Sequence, residues 1–249
     1  MELRHTHRIF VPDALAQSSL ISASGNQAHY LLNVLRLQDG EVIRVFNGRD
    51  GEFRGTITAK GKRGCEIQIH EQIRTQSTEP DLWLCCAPIK KANFDYAVEK
   101  ATELGVSEIQ PILTSRTQIR EINADRIYGI CREAAEQSER LSVPAIGLPV
   151  SLADLTDVFP KDRALIVCAE WGEAMPIHEA LHTAALQKFS KAAIVTGPEG
   201  GFASEELEIL RKASNAFFVR LGSRILRADT AAIAALTCWQ SVIGDWTKI

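Results

Sequence analysis

The amino-acid sequence predicts an α/β protein in which a small β domain precedes a parallel sheet with helices on both faces. Three observations predict this class. Short β-rich runs separated by glycine-containing turns occupy residues 1–75. From residue 76 onward, strand-like apolar runs alternate with helical repeats, which is typical of a covered parallel sheet. Two glycine-containing loops, 197–202 and 221–227, follow successive predicted strands near the end of the sequence.

The composition is that of a globular protein with a large core. The chain has 249 residues, of which 45% are hydrophobic, and this fits one large domain or two small ones. No run of about 18 apolar residues predicts a transmembrane helix, and Met1–His5 lacks the apolar segment of a signal peptide. Six cysteines without Cys-x-x-Cys spacing suggest buried free thiols in a reducing compartment. We therefore expect a cytoplasmic protein with no bound metal.

The charge balance argues against a protein that coats RNA. The formal net charge is −3. Residues 1–75 hold ten Lys or Arg against eight Asp or Glu, a net charge of +2, and the remaining residues have a net charge of −5. Charge alone therefore does not indicate nucleic acid. It is compatible with a folded target that is recognised by its shape and by a few arginines.

The first predicted domain consists of short elements. A helix is expected at His29–Arg36, because its apolar positions repeat with a helical period before the turn Gln38–Gly40. Strands separated by turns predict a compact barrel at 1–75, and they are expected at Arg8–Val11, Val42–Phe46, Glu52–Ile57 and Cys65–His70. From the residues alone, this domain is a folding or oligomerising module. The polar stretch Ile73–Asp81 is interpreted as a linker.

The second predicted domain, residues 76–249, alternates strands and helices. A helix with one apolar face is expected at Asn93–Leu104, where Gly105 ends it. Asn123 is predicted to cap a helix that runs to about Arg140. Buried strands are expected at Leu82–Ala87, Ile109–Leu113, Ala164–Ala169, Ala192–Val195 and Ala216–Val219.

The two glycine-containing loops are the candidate site. Gly197-Pro198-Glu199-Gly200-Gly201-Phe202 lies between a predicted strand and a helix for which Ser204 is the expected N-cap. Leu221–Arg227 follows the next strand, and Asp229 is expected to cap the next helix. Glycine lets the backbone approach a ligand closely, and ligands bind beyond the carboxyl ends of parallel strands. Neither a Gly-x-Gly-x-x-Gly fingerprint nor a phosphate-binding P-loop is present.

These two loops carry a resemblance to a known family. Gly197–Phe202 together with Leu221–Ala231 resembles the C-terminal signature of the RsmE family. Members are SPOUT-superfamily enzymes that use S-adenosylmethionine to methylate N3 of a uridine in 16S ribosomal RNA. The resemblance extends over nearly the full length, through Lys100–Val106, Ser115–Thr117 and Glu136–Arg140. Asp229 replaces the usual glutamate, and we expect no change of reaction because both residues can cap a helix.

The resemblance implies an architecture and an assembly. Residues 1–75 would form a PUA-like β-barrel that binds RNA. Residues 76–249 would form a SPOUT methyltransferase domain, a parallel sheet with a C-terminal trefoil knot. Such knots are rare exceptions to unknotted topology. The protein would act as a homodimer on the 16S ribosomal RNA of the small ribosomal subunit.

The resemblance also implies site residues. Arg227 and Glu199 are the candidates for catalysis, because the N3 proton of uracil has to be removed or the resulting anion stabilised. The residues expected around the cofactor are Ala169, Glu170, Gly197, Glu199, Gly200, Leu221, Gly222, Ile225, Leu226 and Arg227. The arginines expected to contact RNA are Arg4, Arg8, Arg36, Arg116 and Arg140.

Each of these residues can instead have a purely structural role. Glu199 can instead tie down its own loop or hold the cofactor, Arg227 can form a salt bridge across the dimer, and the other arginines can be solvated surface charges. Two alternative functions also stay open. One is another SPOUT methyltransferase, such as a ribose 2′-O enzyme, although its Asn-Glu-Gly-x-Gly and Ile-Pro-Met loops are absent here. The other is a non-catalytic RNA-binding or ribosome assembly protein.

Overall fold

Two compact units make up the protein. The computed structural model describes residues 6–59, 64–169 and 172–248. The first unit comprises Met1–Thr78 together with Ala135–Ser142, and the second comprises Glu79–Ala134 together with Val143–Ile249. The first unit is therefore discontinuous in sequence, because it includes a short segment that lies between two parts of the second.

A five-stranded mixed sheet forms the first unit. The strand order is β1-β3-β4-β5-β2, in which β1 is parallel to β3 and the other pairs are antiparallel. The strands are β1 Arg8–Phe10, β2 Leu20–Ser24, β3 Val42–Phe46, β4 Glu52–Ala59 and β5 Gly64–Arg74. Helix α1, Gly25–His29, continues into the π-helix Tyr30–Val34. The fully buried core of the first unit includes Ile9, Val45, Ile57 and Ile67.

The structure modifies several predictions for this unit. The four predicted strands are present, and β2 was not predicted. The helical stretch begins four residues before His29 and ends at Val34, because the following chain folds back and the amide of Leu37 donates to the carbonyl of Leu31. Strand β5 reaches Arg74, so the polar stretch predicted as a linker begins inside a strand.

A buried ion-pair network fastens the inserted segment to the sheet of the first unit. The Arg8 guanidinium donates to Glu52 at 2.9 Å and to the carbonyls of Ala135 and Arg140 at 2.7 and 2.5 Å. Glu52 is fully buried and also accepts from Arg74 at 3.0 Å. A buried charge is tolerated only when it is paired and hydrogen-bonded, as it is here.

Among the described residues of the second unit, eight parallel strands form one sheet. The order is β11-β13-β10-β12-β6-β7-β8, with β9 paired to β7, and every ladder is parallel. The central strands are apolar runs that are buried on both faces, as expected of a covered parallel sheet. The strands are β6 Leu82–Cys86, β7 Glu108–Leu113, β8 Ala145–Ile146, β9 Val150–Ser151, β10 Arg163–Cys168, β11 Met175–Pro176, β12 Lys191–Thr196 and β13 Ala216–Arg220.

Helices cover both faces of this sheet. Successive residues of β12, Ile194 and Val195, belong to different apolar clusters, because side chains alternate along a strand. The α-helices that the structure describes are α2 Lys91–Glu103, α3 Ala124–Gln137, α4 Leu152–Val158, α5 Ile177–Leu186, α6 Ser204–Arg211 and α7 Ala228–Val242, and a 3₁₀ helix spans Asp245–Lys248. The last three residues of α3 belong to the first unit. One cluster includes Trp239 of α7, and the other includes Leu210 of α6. The predicted α/β class is thus confirmed.

The ends of the helices agree only in part with those predicted from sequence. The side chain of Asn123 accepts from the amide of Arg126 at 2.9 Å, so the predicted N-cap is confirmed. Helix α3 ends at Gln137 and does not reach Arg140, because Glu139 adopts a positive φ of 62°. Helices α4 and α5 were not predicted. In the part of the chain that the structure describes, no helix is both long enough and apolar enough to span a membrane.

Candidate functional site

Three loops leave the sheet of the second unit at one edge. Strand β10 lies between β12 and β13, and Cys168 at its end is opposite both Thr196 and Val219. The loops that begin at Ala169, Gly197 and Leu221 therefore start at nearly the same level of three adjacent strands. The amide of Ala169 donates to the carbonyl of Val219 at 3.0 Å, which extends the β-ladder into the loop that begins at Ala169. This juxtaposition is what a binding site at the carboxyl edge requires.

The loop Gly197–Phe202 needs its glycines for steric reasons. A side chain at Gly197 would lie 3.3 Å from the ring of Phe202, which is tighter than ordinary contact. Gly201 has a φ of +67° and closes a turn, in which its amide donates to the carbonyl of Pro198 at 2.9 Å. The tip of the turn, Glu199 and Gly200, is exposed.

Glu206, and not Glu199, is the carboxylate that holds this loop. The Glu206 carboxylate accepts from the amide of Ala203 at 2.8 Å and from the amide of Ser115 at 2.6 Å. No hydrogen bond or ion pair joins the Glu199 side chain to any residue that the structure describes. Sequence analysis missed the role of Glu206, although a glutamate three residues after a helix N-cap is a known capping signal.

The predicted N-cap of α6 is off by one residue. Ser204 is the first helical residue, and Ala203 occupies the N-cap position with an extended backbone. An alanine is tolerated there because the side chain of Glu206 reaches back to the N-cap amide. The sequence prediction relied on the preference for serine at this position, and the reaching carboxylate overrides that preference.

The loop Leu221–Arg227 exposes both cationic and apolar side chains. Arg224 and Arg227 are exposed, and Ile225 is 72% exposed. Gly222 has a φ of +107°, and nothing lies within 4 Å of where a Cβ would be. A pocket of about 440 Å³ lies next to Gly222 and is lined by Pro176, Ile177, His178, Arg220, Gly222 and Ser223. The loop thus combines open backbone with apolar surface.

The cap of α7 also differs from the prediction. Arg227 occupies the N-cap position, and its carbonyl accepts from the amide of Ala231 at 2.8 Å. Asp229 lies inside the first turn, where its carboxylate accepts from the amide of Thr230 at 2.7 Å. A carboxylate in the first turn still stabilises a helix through the dipole, so the local effect of Asp229 is preserved.

The surroundings of the nearby thiols disfavour their thiolate forms. Burial raises the pKa of Cys168 to about 12, and it raises the pKa of Cys86 to about 12 as well. A neutral buried thiol is a weak nucleophile and a weak base. Within residues 6–59, 64–169 and 172–248, no group of three or more His, Cys, Asp and Glu side chains could hold a metal ion.

The residues present fit the S-adenosylmethionine that the resemblance implies. An adenosyl group needs an apolar slot and backbone donors and acceptors, and the loop 221–227 offers the apolar side chains of Leu221, Ile225 and Leu226 beside the open backbone of Gly222. The exposed Glu199 carboxylate supplies a negative charge at the same edge of the sheet. Of the cofactor residues predicted from sequence, Glu170 lies outside the residues that the structure describes.

The arginines predicted to contact RNA divide into two groups. Arg8 and Arg140 are buried, with exposures of only 7% and 8%. The Arg8 guanidinium is committed to its carboxylate and carbonyl partners and lies 3.7 Å from the ring centroid of Phe46. This burial argues against RNA contact by Arg8 and Arg140. Arg36 and Arg116 are exposed, and Arg4 lies outside the described residues.

Family models match both parts of the chain. Residues 23–69 match an RNA methyltransferase PUA domain, and residues 76–240 match an RNA methyltransferase domain. A curated relative from Rickettsia conorii, ribosomal RNA small subunit methyltransferase E, is 37% identical over 92% of this chain and 93% of its own length. A relative of the same name from Synechocystis is 32% identical and covers 92% of this chain and 75% of its own length.

Solved structures agree with the sequence relatives. A ribosomal RNA small subunit methyltransferase E from Neisseria gonorrhoeae, bound to S-adenosyl methionine, has a TM-score of 0.87 at 27% identity and covers 97% of this chain and 100% of its own. A putative methyltransferase from Legionella pneumophila, also in complex with that cofactor, has a TM-score of 0.83 at 27% identity and covers 95% and 98%. With its PUA domain, its parallel sheet and its glycine-containing loops, the chain belongs to the family of ribosomal RNA small subunit methyltransferase E.

Proposed function

We propose that this protein transfers a methyl group from S-adenosylmethionine to N3 of a specific uridine in the 16S ribosomal RNA of the small ribosomal subunit. The observation that carries the proposal is the meeting of three loops at the carboxyl edge of β10, β12 and β13. Two of these loops bear glycines with positive φ and exposed charged side chains. Family membership supports the reaction class, and the named relatives that bind S-adenosylmethionine support the cofactor.

The roles of the loop residues follow from the chemistry of the acceptor. S-adenosylmethionine supplies an electrophilic methyl group on a sulfonium. Ala169, Gly197, Gly200, Leu221, Gly222, Ile225 and Leu226 bind the cofactor through apolar contacts and backbone groups, and Glu170 completes the set. Methyl transfer is an in-line displacement that depends on close positioning of the acceptor more than on covalent help.

Arg227 and Glu199 are the proposed catalytic residues. Uracil N3 carries a proton, and its loss leaves negative charge spread over O2 and O4. The exposed guanidinium of Arg227 stabilises that charge, and the unpaired carboxylate of Glu199 accepts the proton directly or through water. Both residues are also proposed to contact the bound cofactor.

The proposal extends to RNA contacts and assembly. Arg36 and Arg116 are exposed and hold RNA phosphate or the target base, and Arg4 adds to this set. Arg8 and Arg140 are buried and are not part of this RNA-contacting set. The protein acts as a homodimer in the cytoplasm, and its C-terminal segment forms a trefoil knot. Residues 1–75 act as the RNA-binding domain and residues 76–249 as the methyltransferase domain.

Calorimetry of S-adenosylmethionine binding tests the proposal first, together with the mass of the assembly. We expect one cofactor per protomer and the mass of a dimer. The bound protein is then incubated with small ribosomal subunits that lack the modification, and mass spectrometry of the digested RNA locates the new methyl group on a uracil ring.

Each result has a distinct meaning. A methyl group on a ribose oxygen would replace the proposed reaction with that of a 2′-O enzyme. A folded protein that binds no cofactor would contradict the enzymatic proposal and favour a non-catalytic RNA-binding role. Methylation of free 16S ribosomal RNA at the same rate would show that the assembled subunit is not required.

A further inference from the structure

The loop that follows β7 makes two polar contacts with the first glycine-containing loop and with the start of α6. Strand β6 lies between β7 and β12 in the sheet, so this loop has to cross the end of β6 to reach them. The amide of Ser115 donates to Glu206 at 2.6 Å, and the guanidinium of Arg116 donates to the carbonyl of Gly200 at 2.6 Å. We call Ser115, Arg116, Gly200 and Glu206 the latch.

Glu206 makes the more buried of the two contacts. Glu206 is only 9% exposed, and each of its carboxylate oxygens accepts a hydrogen bond, one from the amide of Ser115 and one from the amide of Ala203. Hydrogen bonds to an ionised carboxylate are roughly twice as strong as neutral ones. Because one oxygen holds the N-terminus of α6 and the other holds the loop after β7, a single side chain sets the distance between the two segments.

Arg116 adds a contact at the tip of the glycine-containing loop. The side chain lies along Gly200, since a Cβ at that position would be 3.3 Å from Cδ of Arg116. The backbone around Arg116 is itself held in a tight turn. The amide of Thr117 donates to the carbonyl of Thr114, and the amide of Thr114 donates to the hydroxyl of Thr117. The guanidinium is therefore presented from a rigid base.

We infer that Glu206 and Arg116 are positioning residues, which hold the loop 197–202 in its cofactor-binding shape. They also couple this loop to the loop 114–117, so that cofactor binding changes the mobility of both segments. The inference rests on the proposed function for the identity of the cofactor. Neither Glu206 nor the loop 114–117 belongs to the residues proposed to touch that cofactor. Coupling between them is therefore a testable consequence of the latch.

The first test compares two glutamines on the same helix. Glu206→Gln keeps the shape of the side chain but places an amide NH₂ against one of two backbone donors. Glu205→Gln makes the same charge change at an exposed neighbour. We expect calorimetry to show that Glu206→Gln weakens S-adenosylmethionine binding about tenfold, as the loss of one hydrogen bond to a charged group predicts. Glu205→Gln should bind within about twofold of the wild type.

Steady-state kinetics distinguish a positioning role of Glu206 from an effect on protein stability alone. If Glu206 positions the loop, Glu206→Gln raises the KM for S-adenosylmethionine and retains most of kcat at saturating cofactor. A lower melting temperature with unchanged cofactor affinity in the folded variant would overturn the inference. Arg116→Ala, with the exposed Arg120→Ala as its control, should weaken the same affinity, and Arg116→Lys should restore part of it.

Hydrogen–deuterium exchange tests the coupling without any turnover. In the unliganded protein, Glu206→Gln should speed exchange in peptides that cover 114–117 as well as 197–203, and Glu205→Gln should not. Addition of S-adenosylmethionine to the wild type should slow exchange in both segments. Slowing confined to 197–203 would refute the coupling. Failure of the wild type to bind cofactor would instead refute the proposed function, and the exchange in Glu206→Gln would still decide the latch.

Discussion

Gly222 shows most directly how one residue shapes the site. Its φ of +107° disfavours any side chain, and no atom lies near the missing Cβ. Gly200 is less suited to a test, because a side chain there would press on Arg116. The space beside Gly222 is therefore open, and the positive φ favours glycine at this position.

Substitution of Gly222 separates strain from function. We expect Gly222→Ala to cost about 1–2 kcal/mol of stability, because a Cβ is disfavoured at positive φ, and to reduce S-adenosylmethionine affinity in calorimetry. Gly40→Ala is the matched control, since Gly40 has a φ of +81° with equally open surroundings. It should lower stability similarly and leave cofactor affinity unchanged. Equal affinity in both variants would remove Gly222 from the site.

Arg227 is the residue whose role is most specific to the transition state. We expect Arg227→Ala to lower kcat by about 10²–10³-fold, as the loss of one preorganised charge-stabilising group does. Cofactor affinity should change much less. Arg224→Ala, an exposed arginine of the same loop, should retain most of its activity. An equal loss of affinity and turnover in Arg227→Ala would make this arginine a simple cofactor ligand.

At the scale of elements, the strands of the first unit depend on one buried carboxylate. Glu52 at the start of β4 is fully buried and bonded to Arg8 of β1 and Arg74 of β5. Arg44 of β3 adds a third guanidinium at 3.5 Å. Removal of Glu52 would leave uncompensated positive charge inside the unit.

Unfolding experiments can measure this dependence. We expect Glu52→Gln to lower the free energy of unfolding by about 3–5 kcal/mol, the cost of breaking a buried ion pair on one side. Glu71→Gln breaks a pair with Arg54 in which both side chains are about half exposed, and it should cost less than about 1 kcal/mol. Similar losses in the two variants, measured by urea titration, would show that the buried network contributes little.

At the scale of the molecule, the first unit is not a contiguous piece of sequence. The segment Ala135–Ser142 supplies two carbonyls to Arg8 and the carboxylate of Glu136 to the amide of Phe10. A fragment that ends at Thr78 lacks these partners. It would leave buried polar groups of the sheet without hydrogen bonds, which is costly.

Fragments test this discontinuity. We expect residues 1–78 alone to unfold at a clearly lower denaturant concentration than the same fragment fused through a flexible linker to residues 135–142. A fusion that carries Glu136→Ala should recover only part of the difference. Identical midpoints for the fragment and the fusion would mean that the segment adds nothing to the stability of the unit.

Sequence analysis predicted much of this architecture for physical reasons that are local. Alternating apolar runs and helical repeats identified the central strands, and the Asn123 cap was confirmed. The caps at Ser204 and Asp229 were each displaced by one or two residues, because Glu206 and the backbone of Arg227 replaced them. Helices α4 and α5, the strand β2 and the two-residue strands β8, β9 and β11 were missed. The trefoil knot and the homodimer stay predictions.

What the sequence by itself determined is the alternation of the central strands with helices and the position of two glycine-containing loops at successive strand ends, because periodicity and turn chemistry are encoded within a few neighbouring residues. The tertiary structure decided which distant groups became partners. Ser115 and Glu206 are 91 positions apart, and Arg8 meets Ala135 and Arg140, which lie more than a hundred positions away. No local pattern specifies such pairs, since they form only when the packed core brings their elements together and burial makes an unpaired charge too costly.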